Sequence, residues 1–527
     1  MASQTSLPGS QGLLRAEHPG QLVFDGCEPA RLFAQEVRHS LEGVLTTTFT
    51  SQPGGRFPVG FVQASVEPRY WWETMWTRDA GTFLRELVHF GYLRHACLSA
   101  ACLMEMVEHN DEGYLSYPRY FKYHQHAWGA ELDGTGAIVI ALVLLWEHLA
   151  GDHPLRARLY EFLHAADSPV RYMAHRVAAG PLIAGSGEFG GGCFIEGDYC
   201  NVVQNGLARL ALLAAARFED QAGQADDAQV YRQAADKLAT NMLRHLVGPD
   251  GAWLWCVVPR TLQPDAAVLN HEINRGFGGI NGVFCMQADV LGPDAARWGW
   301  PDGQEACRKT FEKLLNTPLR RRLLDQHGIW TQFDVYAKGL ATSPSYGHAY
   351  AIQTMLLMDR LDLAAKALNW LAEQTYRPLE GYHLDRDSPY HFYEAMFAPE
   401  AAGQLKLKQG AGALNLVNVA EPLKAARLIL GIDDSSPAEL RIVPHLPDGW
   451  EVAQALNWPV QTTGQEGDGL ARIGLTLRRR DGGLEMELTC RGGGPLPAVA
   501  VRRPADTGGG CREYRVFPNV THAHAML

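Results

Sequence analysis

An aromatic run beside a paired Arg and Asp is the segment of this chain whose residue types most directly indicate chemistry. It reads Tyr-Trp-Trp-Glu-Thr-Met-Trp-Thr-Arg-Asp-Ala-Gly over residues 70–81 and leads into an amphipathic helical pattern. Trp76 offers an aromatic face for the C–H face of a sugar ring, while Arg78 and Asp79 offer charge-assisted hydrogen bonds to hydroxyls. The run therefore predicts a monosaccharide subsite at the start of a helix. The alternative is a core-facing aromatic cluster beside a surface ion pair.

Composition and charge narrow the class of protein. The chain has 527 residues and a net charge of −11, which argues against a nucleic-acid binder, because such proteins normally present a basic face. Its ten cysteines form no CxxC pair and no zinc-ligand spacing, and their scatter predicts reduced thiols in a cytoplasmic protein. The first residues lack a charged start followed by an apolar stretch, and no apolar run is long enough to span a bilayer. We therefore expect neither a secretory signal nor a membrane protein.

Helical periodicity dominates the middle of the chain. Apolar residues recur at three- and four-residue spacing in successive pairs of segments, which are joined by long Gly- and aromatic-rich connections. The predicted pairs are 79–90 with 94–109, 133–150 with 155–177, 201–220 with 226–246, 277–291 with 304–317, and 347–358 with 361–375, followed by a helix near 413–430. About twelve helices in hairpins, without alternating strands, predict an all-α main domain that forms an (α/α)6 toroid.

The two ends of the chain differ from this middle part. Residues 1–64 are rich in Gly, Pro and Thr, which predicts an extended N-terminal segment packed on the main domain of residues 65–432. From 433 to 527, short segments alternate apolar and polar residues between Gly and Pro turns. This period of two predicts a small, antiparallel, β-rich C-terminal domain.

Three motifs resemble those of the six-hairpin glycosidases. Residues 76–79, Trp-Thr-Arg-Asp, resemble the Trp-x-Arg-Asp that opens the barrel in glucoamylases and related α-glucosidases. Residues 128–134, Trp-Gly-Ala-Glu-Leu-Asp-Gly, resemble their Trp-Gly…Asp-Gly element, and residues 392–400 resemble the Tyr-Glu-x-x-x-x-Pro-Glu stretch of trehalase and processing-glucosidase relatives. The motifs occur in the expected order, so the resemblance implies a barrel-type glycoside hydrolase.

The resemblance assigns Glu394 as the catalytic base. Breaking a glycosidic bond normally needs one protonated and one ionised carboxyl group, and in the inverting variant, which this clan mostly uses, the two lie roughly 6.5–9.5 Å apart. Glu394 occupies an aromatic, weakly helical stretch before the final helix, and its alternative role is that of a helix N-terminal acid favoured by the macrodipole. Glu400 is the nearest competitor for the base.

The general acid is expected in the Gly-rich loop of residues 185–198. Its glycines permit unusual backbone angles and close approach of a substrate. Glu188 begins a Glu-Phe-Gly-Gly run that resembles the Glu-x-Arg-Gly-Gly of bacterial glucoamylases, although Gly187 replaces the Trp that usually precedes that Glu. Glu196 is the alternative acid, and Asp198 is expected to cap the following helix. A solvated acidic loop is the other interpretation.

The remaining motif residues are expected to line the sugar pocket. Arg78 and Asp79 would hold hydroxyls, Trp76 and Trp128 would form walls, and Asp133 would either hold a hydroxyl or cap its own helix. We therefore expect an exo-acting, inverting glycoside hydrolase that acts on a small carbohydrate without a metal or cofactor.

Two other functions stay open at this point. A sugar epimerase or isomerase on the same toroid would use histidines as acid and base, and a noncatalytic carbohydrate-binding protein would use none of these groups for turnover. The histidines in aromatic loops are His124, His126, His271, His348, His383 and His391. A single histidine of this kind is more often a satisfied structural group than a catalyst.

Overall fold

Helices form the main body of the molecule. The computed structural model describes residues 19–51, 54–55, 57–64, 73–122, 125–130, 132–185, 199–264, 300–330, 340–342, 346–376, 393–398, 400–401, 404–405, 408–413, 416–436, 438–461, 470–481, 483–491, 495–502 and 514–527. The helices are α1 (Glu28–Thr47), α2 (Thr77–His89), α3 (Leu93–Met106), α4 (Leu132–His148), α5 (Pro154–His164), α6 (Pro169–Ala179), α7 (Val202–Gln221), α8 (Ala225–His245), α9 (Pro301–Leu315), α10 (Pro318–His327), α11 (Tyr346–Leu357), α12 (Leu361–Tyr376) and α13 (Leu416–Leu430).

Five of these helices stand side by side as an inner wall, in the order α11, α13, α2, α4 and α7. The others lie outside them: α3 packs on α2, α6 and α8 pack on α7, and α12 packs on α11. This arrangement of helical hairpins confirms the predicted toroid. Among the described helices, none is both long and apolar enough to cross a bilayer.

Glycines bring the inner helices close together near their N-terminal ends. A Cβ at Gly81 would lie 2.6 Å from the backbone of Ala137 on the neighbouring helix, and a Cβ at Gly136 would lie 3.1 Å from the backbone of Leu207. Since real Cβ atoms do not approach backbone at 2.6 Å, Gly81 leaves no room for a side chain. The small residues therefore set the spacing of α2, α4 and α7 at close-packed density.

The strands form two larger sheets and several short ones. They are β1 (Gln21–Asp25), β2 (Thr74–Trp76), β3 (Glu108–His109), β4 (Leu115–Ser116), β5 (Pro118–Lys122), β6 (Gln125–Ala130), β7 (Cys200–Asn201), β8 (Cys256–Val257), β9 (Leu340–Thr342), β10 (Tyr393–Ala398), β11 (Glu400–Ala401), β12 (Gln404–Leu405), β13 (Lys408–Ala413), β14 (Ile432–Ser436), β15 (Glu439–Ile442), β16 (Val452–Gln461), β17 (Leu470–Arg480), β18 (Gly483–Cys490), β19 (Leu496–Val501), β20 (Arg515–Val520) and β21 (His522–Met526).

The C-terminal β region contains both larger sheets. One has the order β1-β16-β17-β18-β21 with antiparallel neighbours throughout. The other has the order β14-β15-β19-β20, in which β15 and β19 form a parallel pair within an otherwise antiparallel set. Alternating buried residues such as Ile473, Leu475 and Leu477 on β17 face the core, as the period of two predicts.

The N-terminal region corrects one expectation. Residues 28–47 form a helix, so the prediction of an extended segment is wrong there. Phe33, Val37, Leu41 and Val44 are buried at helical spacing on the face of α1 that packs against α12 and α13. This short pattern was obscured by the Gly, Pro and Thr content of the wider segment. Since α1 packs as an outer helix of the toroid, we propose that the helical domain begins at Glu28 rather than at residue 65.

A buried charged group joins the β region to the toroid. Asp434 on β14 receives a hydrogen bond from His148 at the end of α4, with 3.0 Å between Oδ2 and Nε2, and another from the backbone N–H of Gln461 at 3.1 Å. Burial alone would raise the pKa of Asp434, but the charge and hydrogen bond of His148 outweigh it and hold that pKa below its usual value. Burial lowers the pKa of His148, and the Asp434 charge reverses this to a net increase.

Candidate active site

The N-terminal ends of the inner helices lie together at one end of the toroid, which we call the mouth. Helices α4 and α7 run parallel, because they contact each other near their starts at Gly136 and near their ends at Glu147. Helix α2 contacts α4 near the starts of both helices and α13 near the ends of both. Short strands come directly before them: β2 before α2, β6 before α4, β7 before α7, β9 before α11 and β13 before α13. The positive ends of several helix dipoles therefore converge at the mouth and favour ionised carboxylates or other anionic groups there.

The structure brings three of the predicted site residues together at this mouth. Arg78 and Asp79 lie in the first turn of α2, and Asp133 lies in the first turn of α4. Arg78 Nη2 lies 3.3 Å from Asp79 Oδ1, and Nη1 lies 3.8 Å from Asp133 Oδ2. Their side chains are 8%, 5% and 3% exposed, so the alternative of a surface ion pair is wrong.

Backbone contacts hold these three residues in position. Thr77 Oγ1 donates to the carbonyl oxygens of Pro118 and Arg119, at 2.8 and 3.0 Å, and thereby fixes the start of α2 to β5. Gly134 approaches Thr77 so closely that a Cβ there would overlap the threonine hydroxyl. The N–H of Gly134 donates to Asp133 Oδ1 at 3.0 Å, so this carboxylate binds its own helix start while its second oxygen faces Arg78.

Trp76 is a buried part of the mouth. Its side chain packs against Tyr120 with ring centroids 5.0 Å apart, and the guanidinium of Arg119 lies 5.1 Å from its ring centroid. Only 8% of the residue is exposed. Trp128 lies on β6, between Ala127 and Ala130, which pair with β5, but its side chain is outside the described part of the structure. The proposed role of these two rings as sugar-binding walls remains a prediction.

A small cavity lies inside the toroid beneath Arg78. It has a volume of about 20 Å³, which is room for about one water molecule. Its polar lining comes from Arg78, Thr82, Arg85, Tyr350, Glu421 and Lys424. Gln353 donates to Glu421 Oε2 at 2.7 Å, which orients that carboxylate on α13. Sequence reasoning missed Glu421 and Lys424; their signal was a pair of charges, separated by three residues, within an otherwise apolar helical pattern.

The predicted base, Glu394, lies on β10. This strand is the middle of a three-stranded sheet, with Tyr393 opposite Ala413 of β13 and Met396 opposite Thr342 of β9. The expected weakly helical stretch is therefore a strand at this position, and the role of a helix N-terminal acid is wrong for Glu394. Because β13 ends just before α13, the backbone of Glu394 belongs to the mouth. Its side chain and that of Glu400, on β11, are outside the described part.

The predicted general acid and its competitors, Glu188, Glu196 and Asp198, lie outside the described residues. The flanking Gly185 and Tyr199 form an isolated bridge directly before α7. Asn201 caps this helix, because its Oδ1 accepts from the N–H of Gln204 at 2.7 Å. The capping role expected of Asp198 therefore falls to Asn201.

His348 is a structural histidine. It is fully buried, its Nδ1 accepts from the N–H of Trp330 at 3.2 Å, and its Nε2 donates to the carbonyl oxygen of Ala367 at 3.0 Å. Burial lowers its pKa to about 4, so the ring is neutral near pH 7 and both nitrogens are occupied by backbone groups. This residue is not an acid or base for sugar chemistry. His126 lies on β6 with its side chain outside the described part, and His124, His271, His383 and His391 lie outside the described residues.

Comparisons with known proteins define the fold. No family model matches the sequence, and no curated protein matches it. Among solved structures, an α-L-rhamnosidase from Dictyoglumus thermophilum is 11% identical with a TM-score of 0.55, over 96% of this chain and 50% of that chain. An α-L-rhamnosidase from Aspergillus terreus is 12% identical with a TM-score of 0.54, over 97% of this chain and 50% of that one.

A glucoamylase from Saccharomycopsis fibuligera is 15% identical with a TM-score of 0.51, over 77% of this chain and 96% of the glucoamylase. The chain thus spans about half the length of the rhamnosidases and nearly the whole length of the glucoamylase. At these identities the likeness concerns the fold. That fold is an (α/α)6 toroid of helical hairpins.

Proposed function

We propose that this protein is an inverting, exo-acting glycoside hydrolase that removes a terminal sugar at the mouth of the toroid. The observation that carries the proposal is the buried group formed by Arg78, Asp79 and Asp133 at the converging helix starts. Removing charged groups from water is unfavourable unless they are closely paired, and here the Arg78 guanidinium faces two carboxylates at 3.3 and 3.8 Å. The combination of a guanidinium donor and two carboxylate acceptors suits the hydroxyl groups of one sugar ring.

The proposed chemistry places the two reacting carboxyl groups on either side of that sugar. Glu394 acts as the general base that activates water, and Glu188 acts as the general acid that protonates the leaving oxygen. Strand β10 pairs with β9 and β13, and these two strands come just before the inner helices α11 and α13. This position supports a role for Glu394 at the mouth. Trp76 and Trp128 are proposed as the walls of the pocket.

An α-L-rhamnoside is the first substrate class to test. The matches to the rhamnosidases extend over nearly the whole chain and therefore include both the toroid and the β region that follows it. The match to the glucoamylase covers a smaller share of the chain, so α-glucosides are the second class.

Hydrolysis of a panel of aryl α- and β-glycosides and natural disaccharides, with product anomers followed by NMR, tests the reaction directly. Release of one sugar with inverted configuration is the expected result. Binding of sugars without any release would instead identify a noncatalytic binding protein. Conversion of a free sugar in the same samples would identify an epimerase or isomerase.

The general base is tested by comparing Glu394→Gln with Glu400→Gln. The change at Glu394 is expected to lower kcat by about 10²–10⁴-fold, because a base positioned on the water contributes that much. The same change at Glu400, on the next strand of the same segment, is expected to leave turnover near wild type. Equal or reversed losses would remove Glu394 from the mechanism. Circular dichroism and the thermal midpoint report whether both variants keep the fold.

The general acid is tested by the leaving group. Without a proton donor, an enzyme still cleaves glycosides whose leaving phenol is already acidic, such as dinitrophenyl glycosides, but not alkyl glycosides. Glu188→Gln is therefore expected to lose activity on alkyl glycosides and to keep much of it on dinitrophenyl glycosides. Glu196→Gln serves as the matched control from the same loop. A selective loss in Glu196→Gln instead would transfer the role to that residue.

A further inference from the structure

A second group of ionisable side chains lies far from the mouth, where helices α5, α7 and α8 meet. His164 is the last residue of α5, Glu219 lies in the last turn of α7, and Asp227 lies in the first turn of α8. Since α7 starts at the mouth with Val202 and rises by about 1.5 Å per residue, Glu219 is about 26 Å along the helix from it. This group is therefore separate from the candidate active site.

The three side chains are arranged like the ligands of one metal ion. His164 Nδ1 lies 3.1 Å from each carboxylate oxygen of Glu219 and 3.7 Å from Asp227 Oδ2. One atom from each residue can be chosen so that all lie within 4.8 Å of one another. Ligands bound tetrahedrally at about 2.0–2.2 Å are about 3.3–3.6 Å apart, so small rotations of these side chains are sufficient for coordination.

A buried tyrosine hydroxyl beside the group lacks a partner. Tyr231 on α8 is fully buried, and within the described part of the structure its hydroxyl makes no hydrogen bond. The ring centroid of Tyr231 lies 5.5 Å from the guanidinium carbon of Arg171, which pairs with Asp227, and burial raises the pKa of the Tyr231 hydroxyl. Buried polar groups are normally hydrogen-bonded, so this hydroxyl indicates a missing polar neighbour. A water molecule on a metal ion would supply it.

The charges of the group leave a place for a cation. Arg171 Nη2 lies 2.7 Å from Asp227 Oδ2 and balances one of the two carboxylates. A carboxylate has enough lone pairs to accept this bond and still bind a metal, and ligating carboxylates are commonly oriented by such an outer partner. Glu219 is fully buried, and both of its carboxylate oxygens face His164 Nδ1. A divalent cation held between these side chains would balance the second carboxylate.

We propose that His164 Nδ1, Glu219 and Asp227 bind one divalent transition-metal ion of the Zn²⁺ type, with water in the fourth position. Mixed imidazole and carboxylate ligands suit zinc better than calcium or magnesium, which prefer oxygen ligands alone. Because the ligands come from three helices, the bound ion would link the end of α5 to the hairpin formed by α7 and α8. Its expected effect is on stability, since the site is far from the mouth.

Titration of metal-stripped protein with Zn²⁺ by calorimetry tests the proposal. One ion per chain is expected, and His164→Gln and Asp227→Asn are each expected to weaken binding by more than about 10-fold. His175→Gln is the matched control, because His175 is a partly exposed histidine on the adjacent helix α6 that pairs with Glu112 instead. It is expected to bind Zn²⁺ like the wild type.

Two further measurements distinguish a built site from adventitious binding. Zn²⁺ should raise the thermal midpoint of the wild type and of His175→Gln, but not that of His164→Gln or Asp227→Asn. Co²⁺ should give the visible absorption of a four-coordinate ion in the first pair only. Absence of Zn²⁺ binding by the wild type, or equal binding by His164→Gln and Asp227→Asn, would overturn the proposal. Having two ligand variants on different helices keeps the test decisive if one of them fails to fold.

Discussion

The two ends of the inner helices both bury charged side chains, but they pair those charges differently. At the end opposite the mouth, which we call the far end, Glu86 and Arg427 form two parallel hydrogen bonds at 2.7 and 3.0 Å. Glu147 and Arg217 form a similar bidentate pair at 2.6 and 3.1 Å. Each carboxylate there is matched to one guanidinium in the geometry that makes such pairs strong.

At the mouth, one guanidinium lies between two carboxylates. Arg78 approaches Asp79 at 3.3 Å and Asp133 at 3.8 Å, so neither contact has the short bidentate form seen at the far end. Pairs that serve stability alone are expected to have the short, aligned geometry seen at the far end, whereas sites that bind a ligand depart from it. The comparison therefore assigns the far end to stability and supports the mouth as the place of chemistry.

The largest expected effect comes from breaking a pair at the far end. Glu86→Gln leaves the buried Arg427 without its carboxylate and is expected to lower the free energy of unfolding by about 3–5 kcal/mol. Urea denaturation measures it. The control is Asp325→Asn, whose exposed pair with Lys366 is expected to contribute less than about 1 kcal/mol. Activity per folded molecule should stay unchanged in Glu86→Gln, and a stability loss no greater than that of the control would end the assignment.

The next effect is at the mouth, where we expect a large loss of activity and a small loss of stability. Asp79→Asn leaves Arg78 beside Asp133, so we expect a change in unfolding free energy below about 2 kcal/mol. Loss of a charged acceptor for a sugar hydroxyl should lower kcat/KM by about 10- to 100-fold on the substrate that the glycoside panel identifies. Wild-type kcat/KM together with a large stability loss would place Asp79 among the structural charges instead.

A smaller effect is expected where the mouth is held by close packing. An added methyl group in Gly134→Ala would overlap the Thr77 hydroxyl and push apart the starts of α2 and α4. Overpacking of this kind costs about 1–3 kcal/mol, and it should also raise KM because Arg78 and Asp133 move apart. Gly151→Ala is the control, since a Cβ there meets no other atom within 4 Å. A wild-type KM in Gly134→Ala would show that the spacing of the two helix starts does not affect binding.

The smallest effect is a pH dependence at the junction with the β region. Because folding lowers the pKa of Asp434, its ionised carboxylate stabilises the folded protein fully above the ordinary pKa of 3.8. This stabilisation is lost as the pH falls through the pKa of the folded state. Because folding raises the pKa of His148, its protonated ring stabilises the folded protein fully below the ordinary pKa of 6.5. This stabilisation is lost as the pH rises through the pKa of the folded state.

The destabilisation caused by Asp434→Asn should therefore be greatest between those two ordinary values and smaller on either side. His89 also faces Asp434, and burial followed by the Arg427 charge lowers its pKa. Urea midpoints measured across pH for the wild type and Asp434→Asn check this profile. A penalty independent of pH would show that the Asp434–His148 pair is not ionised.

Local patterns were sufficient for most of the fold. The predicted pair 201–220 and 226–246 corresponds to α7 and α8, and the predicted pair 347–358 and 361–375 corresponds to α11 and α12. The predicted helix 155–177 divides into α5 and α6, because Pro169 starts a new helix that Ser168 caps by accepting from the N–H of Arg171. Such breaks are readable in sequence, but only when the proline is given enough weight against the apolar periodicity.

The candidate site was partly accessible in the same way. Arg78, Asp79 and Asp133 were chosen from short motifs, and the structure places them together across two helices. Glu421 and Lys424 were missed, because two charged residues in an apolar helical pattern do not reveal that their side chains line a cavity. The Glu86–Arg427 pair spans 341 residues of sequence, and nothing local to either residue indicates the partner.

By itself, the sequence determined the helical hairpins, the β region and the order of the motifs, because periodicity, capping and turn residues act over a few neighbours along the chain. Only the tertiary structure decided that α1 is an outer helix, that His348 is a structural group and that the buried charges are shared between the mouth and the far end. These properties depend on which distant surfaces pack together. Which surfaces pack together is determined by the burial of whole helix faces, and no single segment of the sequence specifies it.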